Sequence, residues 1–143
     1  MKIKANSPFL LSWVPALAAM GAIFYASSLP GKELNLPSFA YSDKVFHFLA
    51  YMLLGWLITL RFDLRRRLDS IQGATTLAGA ARALDIKGLA TGMLFGVSDE
   101  IHQLFVPLRT FELGDMAADF LGVTAGYLTY RILFLNSESR RVR

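Results

Sequence analysis

Residues 98–119 read SDEIHQLFVPLRTFELGDMAAD. The stretch joins two long apolar segments, and its carboxylates fall inside those segments instead of beyond their ends. Asp99 and Glu100 lie in the last turns of the first segment, and Asp119 lies in the first turns of the second. A carboxylate at the centre of a membrane-spanning helix costs roughly 2.5–3.5 kcal/mol on insertion scales, so such residues usually face a protein interior or a cavity. The apolar segments thus point to a helical membrane fold, and the acids mark where its chemistry should be sought.

Composition agrees with that fold. Hydrophobic residues make up 54% of the 143 and charged residues only 18%. The apolar residues come in blocks, which is unlike a soluble domain. The length fits one domain, residues 1–143. With no cysteine, disulfides and thiolate metal sites are excluded. The net charge of +4 does not point to nucleic acid, because the basic residues sit in short clusters beside apolar segments, as in membrane proteins. The first apolar block is too long for the typical apolar core of a signal peptide and has no A-x-A site after it, so no signal peptide is expected.

Outward from the opening stretch, four spans are expected: residues 9–27, 44–62, 86–106 and 115–134, each near the 20 residues that cross a bilayer. In the first, Pro15 is expected to kink the helix, and Ala18, Ala22 and Ala26 form a row suited to close packing. Ser27, Ser28, Pro30 and Gly31 end it. Residues 30–42 read as a loop dipping into the interface. Asp43 is the expected N-cap of the second span. Asp43, His47 and Leu54 share a face there, with Lys44 and Tyr51 at its edge. Residues 71–85 are rich in Ala, Gly and Thr and fit either an interfacial helix or an early extension of the third span. In the third span Gly88, Gly92 and Gly96 recur every fourth residue, Glu100 continues the row, and Asp99 and Gln103 lie close by. Pro107 is expected to stop it. In the fourth, Gly122 and Gly126 share a face with Asp115 and Asp119.

Orientation follows from charge. If the N-terminus is cytoplasmic, all but Lys32, Lys44 and Arg109 of the 15 basic residues fall inside. That bias predicts cytoplasmic termini on both ends. The acids go the other way, with Glu33, Asp43, Asp99, Glu100, Glu112, Asp115 and Asp119 outside. Antiparallel packing would then bring the unusual polar residues to one level in the outer leaflet.

Four motifs carry a family resemblance: SSLPG, DKVFHFLAY, DEIHQLFVPLR and DMAADFLGVTAGY, in that order between about Phe24 and Tyr127. Together they resemble the VanZ-like family of small bacterial integral membrane proteins. The resemblance implies a four-span, multi-pass protein of the bacterial cytoplasmic membrane. It also implies a link to the cell envelope, since the family is named for a member tied to resistance to the glycopeptide teicoplanin. Its motifs coincide with Ser28, Pro30, Asp43, Lys44, His47, Asp99, Glu100, Gln103, Arg109, Asp115, Asp119 and Gly122.

Three functions are weighed. The leading one is an outward-facing acidic pocket that binds a lipid-linked or cell-envelope ligand. In it Asp99, Glu100 and Asp119 carry the site, and Lys44 and Arg109 hold an anionic group, Arg by its bidentate fork. Ser28, Asp43, His47, Gln103 and Asp115 complete the set. The second is an enzyme using His47, Asp99, Glu100 and Asp119 for acid–base chemistry, with Ser27 or Ser28 as the available hydroxyls. The third is an assembly protein whose buried polar network is structural. His47 and the carboxylates could bind a divalent cation, but no spacing designates a metal site, so no metal or cofactor is expected. Membrane lipids, a lipid-linked cell-wall precursor or a glycopeptide are the expected partners. Homo-oligomers could form through the glycine faces. Ion conduction is disfavoured, because the carboxylates cluster on one side.

Overall fold

The computed structural model describes residues 12–30, 41–71 and 78–135, with side chains placed in all of these except 68–84 and 135. They form four α-helices and, among the described residues, no strand. The helices are α1 (Val14–Ser28), α2 (Ser42–Ile71), α3 (Ala78–Gln103) and α4 (Leu113–Tyr130), the last running on into a π-helical turn at Arg131–Leu135. The basic start at residues 1–7, most of the expected interfacial loop (31–40) and the basic tail beyond 135 lie outside the described residues.

Several expected boundaries shift for local reasons. Pro15 sits in the first turn of α1, where its missing N–H loses no helical hydrogen bond, so it starts the helix instead of kinking it. Asp43 is not the cap of α2. The helix already includes Ser42, Asp43 lies in its first turn, and Tyr41 before it has a φ of 63°. α2 runs nine residues past the expected end at 62, through Ile71. An Arg67–Asp63 ion pair of 2.8 Å, one helical turn apart, supports that extension. The early extension of the third span holds for residues 78–85, since α3 begins at Ala78; Ile71 ends α2, and residues 72–77 lie outside the described residues. α3 stops at Gln103, ahead of Pro107. The N–H groups of Leu104, Phe105 and Val106 bond three residues back, to Ile101, His102 and Gln103. Such tight turns are common where a helix ends, and the residue before a proline avoids helical geometry.

At 30 residues, α2 is about 45 Å long at 1.5 Å per residue. Within it, Ser42–Arg67 is long and apolar enough to cross a membrane, and it is the one such segment among the described residues. α1 is apolar but shorter.

The bundle is built around α2 and α4, which pack most extensively. Their closeness comes from glycine. A Cβ on Gly122 would meet the Phe48 carbonyl and the Met52 nitrogen, and one on Gly126 the Met52 carbonyl and the Trp56 nitrogen. Gly55 of α2 faces the Val123 backbone in return. Gly92 on α3 receives the Val123 side chain, and Gly96 receives Asp119 and the Tyr51 ring. The expected glycine rows are thus packing faces, and they meet helices of the same chain. The expected alanine row of α1 is not. Ala18 and Ala22 are exposed, and α1 packs through Ala16, Ala19, Met20 and Ile23.

The pattern of burial is inverted relative to a soluble protein. Arg61, Asp63, Asp99, Glu100, Gln103, Asp115 and Asp119 are buried, while Leu17, Tyr25, Leu53, Leu94, Leu121 and Leu128 are exposed. At the end opposite the opening stretch, Asp63 accepts from the Tyr130 hydroxyl at 3.0 Å and from Arg67 at 2.8 Å. Asp85 there joins Arg66 (2.8 Å) to Arg131 (2.9 Å).

Candidate functional site

The C-terminal ends of α1 and α3 and the N-terminal ends of α2 and α4 meet, and they bring the candidate residues into three groups. The first is a buried acid row. Asp99, Glu100 and Asp119 are 1%, 0% and 0% exposed. They lie buried because Gly96 lets α4 approach α3 next to Asp119. His47, one turn before Tyr51 on α2, places Nδ1 2.9 Å from Asp119 Oδ1 and 4.0 Å from Glu100 Oε1.

The three acids are not alike. Both oxygens of Glu100 are matched. Gln103 donates to Oε1 at 3.4 Å, and the Glu112 backbone N–H donates to Oε2 at 3.1 Å. Glu100 thereby ties the end of α3 to the start of α4 across the intervening turn. Asp99 and Asp119 each keep a spare oxygen. Ser27 donates to Asp99 Oδ2 at 2.8 Å, but Asp99 Oδ1 has no partner. Asp119 Oδ1 is held by His47, and its Oδ2 has none. The buried Tyr51 hydroxyl lies against Asp99, close enough to influence it but outside good hydrogen-bond geometry. Leaving a buried acceptor unmatched costs about 1–3 kcal/mol, more when it is charged. Such atoms call for an explanation.

The second group is a knot around Lys44. Its ammonium lies 3.0 Å from Asp43, 2.8 Å from Glu112 and 2.9 Å from Asp115. An ammonium has three donors, and three carboxylates take them. Lys44 therefore holds the helix ends together and has no donor left for a ligand anion.

The third group is peripheral. Ser28 donates to the Phe24 carbonyl at 2.7 Å and lies 3.0 Å from His102 Nε2, with His102 stacked on Phe24 at 4.3 Å. Neither serine is paired with His47.

A cavity of about 250 Å³ opens beside the acid row. Its polar wall is Ser27, Asp43, His47, Tyr51, Asp99 and Arg109. Its apolar wall is Ile23, Ala26, Phe46 and Ala50. Arg109 reaches it from the α3–α4 turn. Nε and Nη2 bond the carbonyls of Leu29 and Ala26 at 3.2 and 3.3 Å, where a cation suits the C-terminal end of α1. Nη1 makes no hydrogen bond among the described residues. Of the expected site residues, Asp43, His47, Asp99 and Arg109 line the cavity. Glu100, Gln103, Lys44, Asp115 and Asp119 lie behind or beside it, and Ser28 is off it. The sequence reading missed Tyr51 as a wall residue, although it sits one turn after His47. The apolar wall and the grip of Arg109 on α1 join distant segments and leave no local signal.

Among the described residues, two donor sets lie close enough for a cation: His47, Glu100 and Asp115, and Asp43, Glu112 and Asp115. Both use Asp115, and one of its oxygens already binds Lys44. Glu100 adds no spare oxygen. The groups present therefore fit a metal poorly.

Among known proteins, the chain is similar to an uncharacterized protein of the fission yeast Schizosaccharomyces pombe, 31% identical over 102 residues, which is 71% of this chain and 54% of that one. The chain thus spans about half the length of that curated relative, and the likeness reaches beyond bacteria. No solved structure matches. The model of the VanZ/LLP1 family matches residues 11–134, nearly the whole of the described bundle. The protein belongs to the VanZ/LLP1 family.

Proposed function

We propose that this is a four-span membrane protein with cytoplasmic termini, whose polar pocket opens to the outer face and binds a lipid-linked or cell-envelope ligand. Three things support the membrane part: the inverted burial, the span-length α2, and the arginine-rich end opposite the pocket. The observation that carries the ligand part is Asp99. It is buried on a cavity wall with one carboxylate oxygen unmatched. A purely structural network would close its hydrogen bonds, as Glu100 does a single residue away. The cavity is smaller than the roughly 300–1,000 Å³ of pockets for drug-sized ligands. A headgroup suits it better than a whole glycopeptide, so any role in teicoplanin-type resistance would pass through a precursor or a lipid.

A second reading, acid–base catalysis, is favoured by one contact. Asp119 at His47 Nδ1 fixes the ring and leaves Nε2 without a partner among the described residues, on a cavity-wall residue, the arrangement of an oriented general base. Ser27 is engaged by Asp99 and Ser28 by His102, so the nucleophile in this reading is water or a substrate hydroxyl.

The test is co-purification. Wild type and Asp99→Asn are extracted in mild detergent, and the bound lipids are quantified against the bulk membrane. A species enriched in wild type and absent from a fully helical variant supports a ligand site. No enrichment in wild type, with a variant that melts lower, indicates a structural network instead.

A further inference from the structure

We propose that the pocket selects a guest carrying a primary ammonium next to an anionic group, the chemistry of a phosphoethanolamine headgroup. This inference rests on the pocket binding a ligand at all, as proposed above.

The wall offers a carboxylate oxygen that lacks a donor. Asp99 is 1% exposed, lines the cavity and has Oδ1 unpartnered. The Tyr51 hydroxyl on the same wall is free to turn its oxygen to a guest as well. A primary ammonium brings donors and no acceptor, which is what the Asp99 oxygen needs. Charge points the same way. Asp43, Asp99, Glu100, Glu112, Asp115 and Asp119 gather at this end against Lys44, Arg109 and His47. Lys44 is fully engaged by its three carboxylates, so the cavity side is short of positive charge. A divalent cation is the weaker candidate, because Glu100 and Asp115, the acids that would join His47 around it, have oxygens already bound by Gln103, Glu112 and Lys44.

The anion follows from Arg109. Its Nε and Nη2 are anchored at the C-terminal end of α1, which holds the guanidinium on the cavity wall with Nη1 unused among the described residues. A guanidinium fixed in this way suits a phosphate oxygen. The apolar residues Ile23, Phe46 and Ala50 on the other wall suit the carbon skeleton of the guest.

The experiment uses the full chain in detergent. Binding is measured for phosphatidylethanolamine, phosphatidylcholine and phosphatidylglycerol with identical short tails, and for water-soluble glycerophosphoethanolamine. The ethanolamine lipid should bind at least tenfold more tightly than the other two, and Asp99→Asn should reduce that preference to threefold or less. The headgroup comparison in wild type stands even if the variant fails to fold. Glycerophosphoethanolamine binding as tightly as the lipid identifies a soluble guest of the same chemistry, and much weaker binding identifies a lipid. Equal binding of all headgroups, abolished by the cavity-filling Ala50→Trp, overturns the ammonium inference and leaves the pocket intact. Preference for the choline lipid also overturns it. No binding of any probe overturns both readings.

Discussion

Exchanging Glu100 for glutamine alters one atom and removes one charge, and its effect can be worked from the contacts. Glu100 accepts from the Gln103 side chain through one oxygen and from the Glu112 backbone N–H through the other. Glutamine keeps one acceptor and turns the other into a donor. Turned with its oxygen on the Glu112 N–H, the new amide keeps that bond and sets its NH₂ against Gln103, whose own amide must flip to accept it. Two hydrogen bonds to a charged group thereby become bonds between neutral groups, each weaker by about 1 kcal/mol, so a net loss of roughly 2 kcal/mol is expected for Glu100→Gln. Asp119→Asn differs, because its retained oxygen still accepts from His47, and its loss should stay near 1 kcal/mol. Asp99→Asn should be neutral or stabilising, since it removes a buried charge with an unmatched oxygen. Reversible unfolding in mixed micelles, with all three variants compared under one condition, gives the order directly. Wild-type stability in Glu100→Gln together with a large loss in Asp99→Asn would refute this division into anchor and site.

Three further outcomes follow from the packing. Gly126→Ala drives a methyl into the Met52 and Trp56 backbone and should cost at least about 1–3 kcal/mol, whereas Gly21→Ala, with open space around it, should not; thermal melts of the pair check this. Lys44→Met leaves Glu112 and Asp115 without their cation and should cost about 1.5–3 kcal/mol, and adding Asp115→Asn should recover part of it, as read by a double-mutant cycle. Arg109→Gln frees the carbonyls of Ala26 and Leu29 and should speed amide exchange at the C-terminal end of α1, with little change in α4; exchange measured by mass spectrometry decides it.

The gathering of the acids was legible because it follows from two simple facts. Asp99 and Glu100 stand near the end of one helix, Asp115 and Asp119 near the start of the next, and a short turn joins them. The glycine rows were legible for a similar reason, since spacing alone sets their face. The division of labour among the acids was not. It depends on where the Glu112 backbone N–H lands and on Lys44 reaching Asp115, which are results of chain closure. The alanine row of α1 misled because α1 is apolar all round, so no contrast marked the buried face. Nothing in the sequence singled out Asp63, but α2 continues past its expected end at 62 and carries Asp63 to Tyr130.

The location of the pocket is most directly measured by thiol labelling, which the absence of native cysteine makes unambiguous. Ala26→Cys places a thiol on the cavity wall, and Arg65→Cys places one on an exposed position at the other end of the bundle. In intact cells a membrane-impermeant maleimide should modify the first and spare the second until the membrane is opened. Labelling of Arg65→Cys in intact cells, with Ala26→Cys protected until permeabilisation, would put the acids on the cytoplasmic side and contradict an outward-facing site.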